Sequence, residues 1–134
     1  MNETAQKIAQ DCLDTAYNMT RSFPEIVSTL IQHGFEGYHI DYMRERAIYF
    51  LNDDTSFDLP LHKLEAGVAK KFDIAAVQTA IKEAQQNSEG YTYVGFCKKI
   101  MHAGCAGYIV SFLGKRVLYY GRDAETHIEH FPQS

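Results

Sequence analysis

Tryptophan is absent from the 134 residues, and proline and cysteine occur three times each. No apolar run approaches the roughly 20 residues that span a bilayer, which excludes a transmembrane helix. Cys12, Cys97 and Cys105 are odd in number and show neither CxxC nor zinc-finger spacing. Neither a disulfide framework nor a structural zinc site is therefore expected. Cys12 and Cys97 fall on apolar helix faces as small hydrophobes, whereas Cys105 reads as a turn residue, the one thiol to watch for reactivity. A surplus of basic charge is missing too. The net charge of -4 argues against a general nucleic-acid binder, whose affinity comes mainly from neutralised phosphates. The phosphate-binding loop, the dinucleotide glycine pattern, the nucleophile elbow and HExxH are all lacking.

What is present suffices for a core. Apolar residues make up 46% and aromatic residues 13% of a chain of ordinary domain size, which excludes intrinsic disorder. The opening MNETAQKIAQ is polar and then amphipathic, so a soluble, cytoplasmic protein is expected. Charge is shared unevenly, with a balance of -6 over residues 1–67 and +2 over residues 68–134. Opposite signs favour contact between halves or between subunits, or simply make two solvated faces.

Sliding the chain against itself by 70 residues aligns Phe23–Phe50 with Tyr93–Tyr120 without a gap. Five of the 28 pairs are identical: Gly34/Gly104, Gly37/Gly107, Tyr38/Tyr108, Arg46/Arg116 and Tyr49/Tyr119. Fourteen pairs are apolar in both copies, where independent placement predicts about six. An internal duplication follows as the expectation.

Each copy has the same local grammar. Glu3–Tyr17 carries an apolar stripe at helical spacing through Ala5, Ile8, Cys12 and Leu13. Ser22-Phe23-Pro24-Glu25 is a capping-box pattern opening a short helix that Gly34 stops. In the second copy Asp73 and Thr92 serve as caps, and Gly104 ends the last helix. The period then changes to that of strands over Gly37–Met43, Ala47–Leu51 and Ser56–Leu59, and again up to Val117–Tyr120 and Thr126–His130. Gly114 suits the first central position of a type II′ hairpin turn. Leu61 to Phe72 reads as a loop with a helical turn. The fold class expected is α+β: two helix-helix-strand-strand-strand units, about 1–62 and 70–132, joined as one pseudo-twofold domain with antiparallel sheet packed on helices.

Two short pairs stand out as candidate chemistry. His39-Ile40-Asp41 and His127-Ile128-Glu129 each place an imidazole and a carboxylate two apart on a strand, hence on one face, opposite an isoleucine read as core-facing. If the two pairs converge, His39, Asp41, His127 and Glu129 are metal ligands, for zinc for example, or a general acid and base. If they do not, they are polar residues on the wet face of a sheet. His33 and His102 fall at helix C-termini, where the dipole accounts for them. Nine tyrosines and eight phenylalanines include the consecutive pairs Tyr49-Phe50 and Tyr119-Tyr120. One member of each pair must face away from the core, which suits a subunit or partner interface.

The runs FPEIVSTLIQHGFEGYHIDYMRERAIYF, KKFDIAAVQTAIKEAQQN and IMHAGCAGYIVSFLGKRVLYYGRDAETHIEHFP resemble a family of small, uncharacterised bacterial proteins, some of them labelled phage envelope proteins. Gly37-Tyr38-His39-Ile40-Asp41, Ala106-Gly107-Tyr108 and Tyr120-Gly121-Arg122-Asp123 carry the resemblance most specifically. It implies a one-domain bacterial protein and supplies no reaction, cofactor or catalytic residue. The leading functional expectation is a non-enzymatic interaction module, a homodimer or the holder of a protein partner. The alternative is a metal- or small-ligand-binding protein, a hydrolase included, using the four residues of the two pairs. A phage- or defence-related regulator of another protein is a third reading.

Overall fold

The computed structural model describes residues 3–131, and the outermost residues of the two expected halves, 1–2 and 132, lie outside that range. Helices α1 (Glu3–Tyr17) and α2 (Phe23–Gln32) precede strands β1 (Phe35–Asp41), β2 (Arg46–Leu51) and β3 (Ser56–Pro60). Helices α3 (Ile74–Gln85) and α4 (Tyr93–His102) precede β4 (Cys105–Ser111), β5 (Arg116–Gly121) and β6 (Thr126–His130). From α2 onward every element of the first half recurs 70 positions later as α4, β4, β5 or β6 with matching bounds. The fold is α+β, as expected.

Local chemistry sets the helix starts. Ser22 Oγ accepts from Glu25 N while the Glu25 carboxylate accepts from Ser22 N, closing the capping box. Asp73 and Thr92 accept from Ala76 N and Gly95 N. Gly34 and Gly104 take positive φ just past α2 and α4. The hairpin turns differ from expectation: the positive φ sits at Glu45 and Lys115, with Gly114 outside that region. Gly114 instead donates its N–H to Ser111 Oγ. The segment between β3 and α3 contains no helical turn. It is an irregular crossing pinned by Ala69 N donating to Met101 O and Arg122 Nη1 donating to Val68 O.

All six strands join one antiparallel sheet in the order β3-β2-β1-β4-β5-β6. The two meanders meet at β1 and β4, where His39 pairs with Ile109, its own counterpart 70 residues on. An approximate twofold axis therefore passes through the middle of the sheet. Gly37 and Gly107 lie beside it, and a Cβ at either would strike the facing strand's carbonyl, of Val110 or Ile40.

One sheet face carries Tyr38, Ile40, Ala47, Tyr49, Tyr108, Val110, Val117 and Tyr119, all buried. The helices cover it with Ala9, Cys12, Leu30, Val77, Ile81, Cys97 and Ile100 in one continuous core. Each such Leu, Ile or Val contributes about 1.5–3 kcal/mol by leaving water. Among the described residues no helix lies on the other face.

Candidate functional site

Cross-strand partners share a face, so the register fixes where each candidate residue points. His39 and Asp41 stand on the uncovered face, with Ile40 between them 1% exposed on the core side. His39 Nε2 and the Tyr120 hydroxyl share a hydrogen bond of 2.6 Å. Burial holds the His39 imidazole below its ordinary pKa, with Asp41 opposing that shift and Arg44 adding to it. Tyr120 is pushed up to about 12, first by burial and then by the Asp41 charge. Asp41 itself is committed to the hairpin. Its Oδ1 accepts from Met43 N and Arg44 N at 3.0 and 3.2 Å, and its Oδ2 from Arg44 Nε at 2.9 Å. In the second half Ser111 accepts from Gly114 N in the same place. Asp41 and Ser111 thus do one job, tying a turn.

His127 and Glu129 stand on the opposite, helix-covered side. Tyr119 pairs with His127 and Val117 with Glu129, and both partners belong to the core face. Ile128, expected to be core-facing, is 43% exposed on the outer face. The sheet itself therefore separates the pairs, and the four-residue metal constellation is not assembled. Among the described residues no group of three or more His, Cys, Asp or Glu is placed to hold a metal ion. The second pair does close on itself: His127 Nε2 lies 3.0 Å from Glu129 Oε2, and Gln85 Nε2 donates to Glu129 Oε1 at 3.4 Å. The 70-residue offset held the missed signal, since it sets His127 and Glu129 against Phe57 and Leu59, whose apolar side chains belong on the core side.

The outer face has an apolar middle. One transverse row reads Asp58, Ile48, His39, Ile109, Leu118, Ile128 from edge to edge. Phe50 and Tyr120 flank it, each opposite a glycine, Gly37 and Gly107. Phe50 and Ile109 are each 38% exposed. The expectation of one outward aromatic from each consecutive pair holds, as Phe50 and Tyr120. Arg46 closes one side of the face through a 2.9 Å bridge to Asp58. The thiols offer no nucleophile here. Cys105 opens β4 fully buried, not in a turn; its Sγ donates to Gly107 O, and burial pushes it up to about 12. Burial raises Cys97 to about 11 and raises Cys12 against the pull of Arg21.

Among the described residues, fold and site define a two-layer α+β protein: four helices on one face of a six-stranded antiparallel sheet, the other face uncovered and crossed by a largely apolar row. Among the described residues no helix is long and apolar enough to cross a membrane. Over residues 15–129 the chain matches the family described as Protein of unknown function (DUF1398), and it belongs to that family. No curated protein matches it.

Proposed function

We propose that the protein is a non-enzymatic interaction module that homodimerises through its uncovered sheet face, a single cytoplasmic domain built from one duplicated unit. The observation that carries this reading is the row Ile48, Ile109, Leu118 and Ile128, apolar side chains running across a face that no helix among the described residues covers. Exposed apolar patches ringed by polar residues mark association surfaces. The occupant favoured is a second copy of the chain. A twofold axis parallel to the strands lays the β1–β3 half of one copy over the β4–β6 half of the other. That arrangement lays Ile48 over Leu118 and His39 over Ile109, each twice, so that the apolar row covers its own copy. Six strands of five to seven residues make a face on the order of 25 by 20 Å. That sits at the small end of specific interfaces, so the dimer is expected to be micromolar.

Sedimentation equilibrium over a concentration series tests this. The expected result is a monomer–dimer equilibrium that Ile109→Lys abolishes while far-UV circular dichroism stays unchanged. A chain that remains monomeric at its highest soluble concentration, or a dimer indifferent to Ile109→Lys, overturns the reading.

A further inference from the structure

On the other side of the sheet, we propose that the space between the helices and the core face is a binding site for an aromatic small molecule. The molecule is neutral or cationic and carries hydrogen-bond acceptors on its buried edge. The space is a cavity of about 620 Å³, inside the range of roughly 300–1,000 Å³ usual for small-molecule sites. Its floor holds Tyr38, Tyr49 and Tyr119, which are 7%, 3% and 7% exposed. Their hydroxyls make no hydrogen bond among the described residues, yet they are not sealed in, so they front the cavity. By contrast Tyr93 and Tyr108, also in its wall, bond each other at 2.5 Å.

Three phenolic O–H groups that open into one apolar space, and that no described side chain or backbone group takes up, can donate to acceptors on an occupant. Burial raises the pKa of all three phenols, so they keep their protons and call for acceptors. Tyr38, Tyr49 and Phe57 stack in a row at 5.5 and 5.7 Å, so the tyrosines offer their ring edges and hydroxyls, and edge-to-face contact suits the face of a flat ring system.

The mouth decides the charge. It is rimmed by Met19 and Phe23, 43% and 41% exposed, with Phe23 edge-on to Phe131 at 5.9 Å. The Glu129 carboxylate stands there, oriented by His127 and Gln85. A second carboxylate, Glu25, is held in its capping box. The guanidinium among the lining residues, Arg21, is engaged by Asp11 at 3.0 Å. An anionic ligand meets two carboxylates and no free arginine.

The probe that tests this is Nile red, a neutral fused-ring dye with a carbonyl acceptor, titrated into the wild-type chain and read by its blue-shifted emission. Saturable binding at one dye per chain is expected. The triple variant Tyr38→Phe/Tyr49→Phe/Tyr119→Phe is expected to weaken it by about tenfold or more, at roughly 1 kcal/mol per lost bond. Its urea midpoint should be no lower than wild type, because no internal hydrogen bond is lost. Ala84→Trp, which fills the cavity from α3, is expected to abolish binding, and Ile109→Lys on the outer face to leave it unchanged. Absence of saturable binding, binding undiminished in either cavity variant, or loss of binding with Ile109→Lys overturns the proposal. Should Ala84→Trp fail to fold, the triple variant decides alone.

Discussion

Gly34 and Gly104 occupy equivalent places, each just past the helix that leads into a central strand, with φ of +86° and +88°. Alanine at either must enter the left-handed region, at about 1–2 kcal/mol, less about 0.4–1 kcal/mol from a stiffer unfolded chain. At Gly34 nothing lies within 4 Å of the added Cβ, so that conformational difference is the whole effect. At Gly104 the same carbon would run into the Lys71 carbonyl and come within 2.8 Å of Phe72 Cα. That backbone is pinned: Asp73 N donates to Ala103 O at 2.7 Å, Phe72 N donates to Asp123 Oδ2 at 3.1 Å, and Phe72 is 5% exposed. Relieving the clash forfeits one or both hydrogen bonds and part of the Phe72 burial, about 2–4 kcal/mol in addition. The expected losses are about 1 kcal/mol for Gly34→Ala and about 3–5 kcal/mol for Gly104→Ala. Urea unfolding followed by far-UV circular dichroism measures both, and with a slope of about 1–3 kcal/mol/M the midpoints separate by roughly 1 M or more. Two variants within about 0.5 kcal/mol of each other refute the reasoning.

Tyr42 Oη is buried with only the weakly bonding Cys97 thiol beside it and no oxygen or nitrogen partner among the described residues, so Tyr42→Phe is expected to change stability by less than about 1 kcal/mol. A clear loss in urea unfolding counts against that placement. His39 supplies a pH dependence. Its imidazole is held below the ordinary value in the fold by burial, while the unfolded chain takes a proton near about 6.5. Between those two values the unfolded state binds more protons, so stability is lost as pH falls below about 6.5 and is fully present above it. Thermal unfolding from pH 7.5 down to 5 should show that slope, and His39→Gln should flatten it; an unaltered slope rejects His39 as its source.

Features governed by neighbouring residues were legible in the sequence. The capping box at Ser22, the Asp73 and Thr92 caps, the stop at Gly34 and the alternation of β1 each depend on a few adjacent side chains, and the folded chain repeats them. The 70-residue offset carried further, because it anticipated matching strand bounds across both meanders. What failed needed partners distant in sequence. Ile128 reads as a core residue when taken alone, and its true direction is set by the pairing of Tyr119 with His127. Asp41 reads as half of a catalytic pair until its carboxylate is seen to bind Met43 N and Arg44 N. Cys105 reads as a turn residue because two glycines surround it, yet the sheet enlists it as the first residue of β4. The cavity was not readable at all, since it depends on how far the helices stand from the sheet.

Comparison of the two edge strands ties that cavity to a particular departure from the internal match. On β3, Phe57 stacks on Tyr49 at 5.7 Å and Leu59 packs against the core. On β6, His127 stacks on Tyr119 at 6.3 Å in the matching place, and Glu129 replaces the leucine. The first half thus closes its edge with apolar side chains, while the second leaves a polar pair beside the cavity mouth. If this substitution keeps the mouth polar at the expense of packing, His127→Phe/Glu129→Leu should restore the first half's pattern. The side chains of His127 and Glu129 are 15% and 33% exposed, so most of the new apolar area is buried. A gain of about 1–3 kcal/mol is expected, less the 0–1 kcal/mol that a partly exposed pair contributes. With the Glu129 charge gone, anilinonaphthalene sulfonate, an anionic dye that the two carboxylates at the mouth would repel, should bind measurably more tightly. A variant destabilised by more than about 1 kcal/mol, or unchanged in its preference for neutral over anionic dye, shows that the polar pair supports the edge and does not govern the mouth.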